Sequence, residues 1–198
     1  MPAGGAETLK NSDYQVTAWT QRMAGRFVSQ GGVCIDATMG NGNDTDFLCR
    51  HVGPEGQVLA FDIQEEAIEH TGERLRRKGY RNARLILDSH TRMADYAEPE
   101  SADLIMFNLG YLPGGDHRIA TKPETTLPAL ESALTLLKKG GAVSLVIYSG
   151  GDTGTEEKER ILDWLKHLDA GQYLVMVTEY YNRPNHPPLP VLIIRLPA

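Results

Sequence analysis

Two closely spaced glycines and a distant aspartate are the residues of this chain whose types and spacing best suit chemistry. The run Asp36-Ala37-Thr38-Met39-Gly40-Asn41-Gly42-Asn43-Asp44-Thr45 follows a short apolar stretch holding Val33 and Ile35. Asp62 closes a second apolar stretch, Gln57-Val58-Leu59-Ala60-Phe61. Gly40 and Gly42 let the backbone turn tightly against a ligand. A carboxylate at Asp62 can accept hydrogen bonds from two ribose hydroxyls. Together they predict a site for an adenosine-containing molecule, with Asp36 on its floor. The competing reading, turn glycines and a strand-end cap, has to treat their joint appearance as accident and is the weaker. Asn43 or Asp44 is placed to cap the helix that follows.

The glycines alone discriminate poorly between cofactors. A dinucleotide site uses three glycines and lays a pyrophosphate on the helix N-terminus. Here Asn43, Asp44, Thr45 and Asp46 stand at that position, and two carboxylates would repel a pyrophosphate. The same groups favour a cation, such as a ligand with a sulfonium and an α-amino group. S-adenosylmethionine therefore fits better than a nicotinamide dinucleotide. Gln64 lies just beyond Asp62. Ser89 and His90, after a third apolar run, are placed to reach an adenine amino group and ring, although serine is also a good helix cap.

Asn108 ends a fourth apolar run and opens Asn108-Leu109-Gly110-Tyr111-Leu112-Pro113. It is expected to face the reactive end of the cofactor and the substrate. An Asn amide oxygen and a neighbouring carbonyl can hold an amine with its lone pair in line with a methyl group. The segment is loosely like an Asn-Pro-Pro-Tyr signature, with both prolines replaced, by Leu109 and Gly110. A desolvated site beside a cation lowers an amine's pKa, so a strong base is not required. Tyr111, Asp116 and His117 are the candidates to relay the proton. Closing a turn is the competing role for Asn108, and Asp116, His117, Arg118 and Lys122 are as readily surface residues.

These residues need an α/β frame. From Val33 to Ala170 strand and helix patterns alternate, which predicts a parallel sheet. Val16, Trp19, Met23 and Phe27 recur at helical spacing ahead of it. The first βα unit spans 33–52 and the second 57–78, followed by strands at Ala83 to Leu87 and Ala102 to Phe107. A polar, Gly-rich loop over 114–123 precedes a helix carrying Leu127, Leu130, Leu134 and Leu137, with Thr126 placed to cap it and Gly140 to end it. Ala142 to Tyr148 reads as a buried strand and 155–168 as a helix. Two further strands, Tyr173 to Tyr180 and Val191 to Ile194, are joined by a proline-rich link over 182–190 and should pair antiparallel. One domain over 1–198 is expected, with 1–12 loosely ordered. Every polar cluster above falls at the carboxyl end of a strand, the ligand-binding edge of an open α/β sheet.

Bulk properties narrow the partners. A net charge of -6 argues against unspecific coating of nucleic acid. Arg74, Arg76, Arg77, Lys78, Arg81 and Arg84 form the densest basic cluster, which suits either a solvated helix end or a patch for one structured RNA. Tyr180, Tyr181, Asn182, Arg183 and His186 suit either hairpin packing or stacking on a flipped base. The two cysteines, Cys34 and Cys49, read as small buried hydrophobes of a reduced compartment. No metal-ligand set, membrane-spanning run or secretion signal is evident, so a cytoplasmic protein without metal is expected.

With these motifs in view, the chain resembles the YtqB-like, MnmM-type family of class I S-adenosylmethionine-dependent methyltransferases, formerly called rRNA methylases. The resemblance rests on the 36–45 run, on Gly56 to Gln64, on Asp88-Ser89-His90, on Asn108 to Asp116 and on Thr125 to Leu130, and it covers 13–196. It implies a Rossmann-like seven-stranded sheet, mostly parallel, with an antiparallel C-terminal hairpin and helices on both faces. It also implies N-methylation of the aminomethyl group of wobble uridine in the tRNA anticodon loop, taking 5-aminomethyl-2-thiouridine to its 5-methylaminomethyl form. S-adenosylmethionine would be the donor and S-adenosylhomocysteine the product. Asn41, Asn43 or Asp44, Asp62, Gln64, Ser89 and His90 match the family's cofactor-contacting positions. Thr38 departs from the broader class, where many members carry the first glycine of the loop. An rRNA or small-molecule methyltransferase on the same fold, and a protein that binds the cofactor without catalysis, are the alternative readings. A homodimer is compatible with all of them.

Overall fold

The computed structural model describes residues 10–110, 121–148, 154–184 and 187–197. Helix α1 (Val16–Ala24) precedes five units built on strands β1 (Val33–Asp36), β2 (Gln57–Asp62), β3 (Ala83–Leu87), β4 (Ala102–Asn108) and β5 (Leu137–Ile147). Helices α2 (Asn43–Val52) and α3 (Glu65–Lys78) follow β1 and β2, and α4 (Pro123–Leu136) and α5 (Gly154–Lys166) flank β5 in the chain. Strands β6 (Tyr173–Val177) and β7 (Leu189–Arg195) complete one seven-stranded sheet of order β3-β2-β1-β4-β5-β7-β6. The first five strands pair in parallel, and β7 inserts antiparallel between β5 and β6. Among the described residues no helix is long and apolar enough to cross a membrane.

Strand alternation divides the core in two. Ile35, Leu59, Phe61, Ile105, Phe107 and Val143 pack on one face beneath Leu130, Ala133, Ile161 and Leu165 of α4 and α5. Their immediate neighbours Cys34, Val58, Leu104, Met106 and Ala142 pack on the other, beneath Ala24, Phe47, Leu48 and Leu75 of α1, α2 and α3. Strands buried on both faces read as continuous apolar runs, which is why β4 and β5 stand out in the sequence.

Several boundaries differ from expectation for identifiable reasons. Helix α1 is shorter than the Val16-to-Phe27 stripe, because a 3-10 turn takes over at Gly25–Phe27, and the side chains it buries fully are Thr20 and Ala24. Helix α4 starts at Pro123, inside the expected loop, with Lys122 as its N-cap and proline at the first position where a missing N–H is harmless. Thr126 is not a cap; it is buried in the first turn and its hydroxyl donates to Glu157. That helix ends at Leu136, and β5 begins at Leu137 rather than at Ala142, with Gly140 (φ +78°) inside it. Strand β6 stops at Val177, three residues short of Tyr180, whereas β7 extends back through Pro190 to Leu189. A proline at the second residue of a strand removes a donor near the end of the ladder, where it is tolerated.

Candidate active site

Five strand ends converge on one edge of the sheet. Asp36, Asp62 and Asn108 close β1, β2 and β4, Ser89 and His90 follow β3, and Tyr148 follows β5. The chain leaves β1 toward β2 and leaves β4 toward β5, so a crevice opens between these adjacent strands. The glycine loop crosses this crevice.

Gly40 (φ +48°) and Gly42 (φ +74°) both adopt left-handed backbone. The Gly40 N–H donates to Asp62 Oδ2 at 3.0 Å, and its carbonyl accepts from the Thr71 hydroxyl at 3.0 Å. A Cβ at Gly42 would stand 2.7 Å from Thr71 Oγ1, so this glycine serves a close approach of loop to α3 as well as a turn. Gly42 is the N-cap of α2, and no side chain caps that helix. The expected capping role of Asn43 or Asp44 is therefore not realised. Asn43 is exposed on the first turn, and Asp44 points into the protein. Asn41 accepts from His70 Nδ1 at 3.3 Å on the outer side of the loop.

Asp36 and Asp44 form a buried acidic pair. Asp36 Oδ2 accepts from the Thr45 hydroxyl at 2.6 Å and Oδ1 from the Thr38 amide at 3.2 Å. Asp44 Oδ1 accepts from Gln21 Nε2 of α1 at 2.6 Å, and Oδ2 accepts from the Asn108 side-chain amide. All four donors are neutral. Burial pushes both carboxyls above the usual carboxylate range; the Asp44 carboxylate raises Asp36 further, while the hydrogen bonds act in the opposite direction. Asp62 is raised as well, through burial, against the amides of Gly40 and Gln64. Three acids held this way at the carboxyl ends of β1 and β2 and the start of α2 have charged forms that a nearby cation stabilises.

Asn108 is fixed from two sides. Its backbone N–H donates to Thr38 Oγ1 at 2.7 Å, and its side-chain nitrogen is committed to Asp44. The amide oxygen therefore turns away from Asp44. Thr38, which stands where a glycine is common in the wider class, thus joins the β1 loop to the end of β4.

Around β3 the assignments separate. Ser89 caps the 3-10 turn His90–Asp95, its Oγ accepting from the Thr91 amide at 3.2 Å. His90 packs edge-on against Phe107, ring centroids 6.1 Å apart, and its Nε2 is buried without a hydrogen bond among the described residues. Burial lowers its pKa, against a hydrogen bond to the Ala37 backbone, and so favours the neutral ring. Gln64 is half-buried at the start of α3, its N–H donating to Asp62 Oδ1 at 3.1 Å. Between Asp62 and Ser89, Ile63 and Leu87 are more than half exposed, large apolar groups at the edge where an adenine ring would need a surface.

Other expected residues fall outside the described part of the chain or away from the crevice. Tyr111, Asp116, His117, Arg118 and His186 lie outside the described residues. The arginine cluster occupies the C-terminal end of α3 and the start of β3, the sheet edge opposite the crevice, and Arg74 and Lys78 there pair with Asp46. The Tyr180 hydroxyl donates to the Tyr14 carbonyl at 3.0 Å, while Tyr181 is 92% exposed. Gln21, Thr45 and Tyr148 were not legible as site residues. Only the fold brings α1 over Asp44 and sets Tyr148 within 4.0 Å of a Cβ at Gly110.

The model of the family described as "putative rRNA methylase" matches residues 58–194. The chain belongs to that family. Within it, the chain is similar to a solved structure from Clostridium thermocellum, at 43% identity and a TM-score of 0.90 over 96% of this chain and 100% of that one. A Streptococcus mutans protein crystallised with SAH shares 35% identity and a TM-score of 0.84 over the same proportions, 96% and 100%. The sheet order and its antiparallel closing strands are those of the class I methyltransferase fold. The chloroplastic tRNA (mnm(5)s(2)U34)-methyltransferase of Arabidopsis thaliana is 39% identical over 173 residues, 82% of this chain. The chain spans 63% of that relative's length.

Proposed function

We propose that this protein is an S-adenosylmethionine-dependent N-methyltransferase whose substrate is the aminomethyl group of wobble uridine in tRNA. The observation that carries the reading is the buried Asp36–Asp44 pair, satisfied by neutral donors and joined through Asp44 to Asn108. Such a pair favours a ligand that brings positive charge. The ligand seen in the Streptococcus mutans relative supports the same cofactor class.

The residues present fit that cofactor. Asp62 uses one lone pair on each oxygen for Gly40 and Gln64, which leaves acceptor capacity for ribose hydroxyls. Ile63 and Leu87 offer apolar surface for the adenine at the ends of the paired strands β2 and β3, and the backbone at Gly40, Asn41 and Gly42 permits close approach. The cofactor supplies an electrophilic methyl group. Asn108 presents its amide oxygen to the attacking amine because its nitrogen is held by Asp44, and this orients the lone pair. The buried Asp36 and Asp44 carboxyls favour the donor's positive charge at this end of the crevice. Tyr111 and Asp116 are proposed to receive the proton released by the amine.

The substrate assignment is supported by the Arabidopsis relative and by the signature-like segment at Asn108. Purified protein with S-adenosylmethionine should convert 5-aminomethyl-2-thiouridine in tRNA to the methylaminomethyl nucleoside, read by mass spectrometry of digested tRNA. An unmodified transcript should stay inert. Methylation of a transcript that lacks the aminomethyl group would overturn the substrate, and failure to bind S-adenosylmethionine would overturn the class.

A further inference from the structure

Glu157, in the first turn of α5, is a carboxylate only 3% exposed that no step above uses. Its Oε1 accepts from the Thr126 hydroxyl of α4 at 2.6 Å, and its Oε2 accepts from the Thr121 hydroxyl at 3.0 Å. Thr121 Oγ1 in turn accepts from the Gly110 N–H at 2.9 Å, and the Thr121 N–H donates to the Gly110 carbonyl at 2.9 Å. Gly110 is two residues beyond Asn108 and adopts φ +133°, a conformation that L side chains rarely take. A chain of hydrogen bonds thus runs from the start of α5 to the turn that carries the amide.

We propose that Glu157 is a positioning residue for methyl transfer, holding the Asn108–Gly110 turn in register through Thr121. A buried charge is retained only where its hydrogen bonds compensate, and two aliphatic residues would pack α4 on α5 more simply. Burial raises the Glu157 pKa, and the Thr126 and Thr121 hydroxyls and the α5 N-terminus act against it in favour of the ionised carboxylate. Donation from Thr121 to that carboxylate strengthens the threonine oxygen as an acceptor for Gly110. The turn is then pinned at Thr38 and Asp44 on one side and at Thr121 on the other, so the Asn108 amide cannot drift from the reacting amine.

The inference rests on the role proposed for Asn108, and its test separates the two. In the full-length protein, Glu157→Gln and Thr121→Val should each lower kcat on aminomethylated tRNA by about 10- to 100-fold, while the Kd for S-adenosylmethionine stays within about threefold. Thr121→Ser, which keeps the hydroxyl, should restore wild-type turnover. The double variant should be no worse than the poorer single one, since both act through one chain. Hydrogen–deuterium exchange at the Gly110 amide should accelerate in Glu157→Gln and Thr121→Val but not in Thr121→Ser. Unchanged kcat, a serine variant as poor as the valine one, or cofactor affinity falling in step with kcat would overturn the proposal. The exchange measurement needs no turnover. Unaltered Gly110 exchange sinks the positioning role whatever the substrate, whereas altered exchange in a wild-type protein that methylates nothing sinks only the proposed function.

Discussion

Asp44 is the residue on which the site turns. Located in the first turn of α2, where carboxylates usually face solvent and the helix dipole, it is instead buried between α1 and the end of β4. Its contact with Asn108 fixes which end of that amide faces the crevice, an orientation an isolated asparagine could not hold. Asn108→Ala is therefore expected to lower kcat by roughly 100-fold through loss of substrate alignment, with S-adenosylmethionine affinity within about threefold. Single-turnover kinetics and calorimetry on the same preparation check this. A parallel loss of cofactor affinity would move Asn108 into the cofactor pocket alone.

At the scale of elements, the loop between β1 and α2 is shaped from outside as much as by its own residues. Thr71 of α3 holds the Gly40 carbonyl and stands against Gly42, so the loop's conformation depends on the placement of α3. Two glycines with nearly equal φ separate strain from crowding. Gly140 (φ +78°) has nothing within 4 Å of a built Cβ, whereas Gly42 (φ +74°) meets Thr71 at 2.7 Å. Gly140→Ala should destabilise by about 1 kcal/mol from backbone strain, and Gly42→Ala by a further 1–3 kcal/mol or so from overpacking. Urea unfolding of the two variants measures the difference. Equal losses would show that the Thr71 side chain gives way.

For the molecule as a whole, the buried acids couple stability to pH and to ligand. Asp36, Asp44 and Asp62 all have folded-state pKa values above their ordinary ones. Below the unfolded value of ~3.9 these groups are protonated in both states and their contribution to stability is fully present. As pH rises beyond that, the unfolded chain releases protons the folded chain retains, and stability falls until the raised values are passed. A cationic ligand favours the ionised forms, so binding should release protons and the thermal shift given by S-adenosylmethionine should grow from about pH 5 to pH 8. Calorimetry in buffers of different ionisation enthalpy counts the protons. Asp36→Asn should flatten the pH dependence of the free protein and weaken cofactor binding. A pH-independent shift would remove these carboxylates from the cofactor's charge balance.

What the sequence determined by itself was local. Left-handed turns require Gly40 and Gly42, apolar runs mark β1 to β5, and acids or amides follow those runs, because backbone propensity and burial periodicity act over a few neighbours. From these came the strand-end placement of Asp36, Asp62 and Asn108 and the antiparallel closing hairpin. Tertiary structure decided which of the polar groups were spent on one another. Asp44 and Thr126 both look like helix caps in isolation, but their partners are Gln21 with Asn108, and Glu157, residues brought near only by the pairing of β4 with β1 and the packing of α1 and α5 on the sheet. Burial is the physical reason. Once a carboxylate leaves water it must find donors wherever the fold supplies them, and that supply is set by topology rather than by neighbours in the chain.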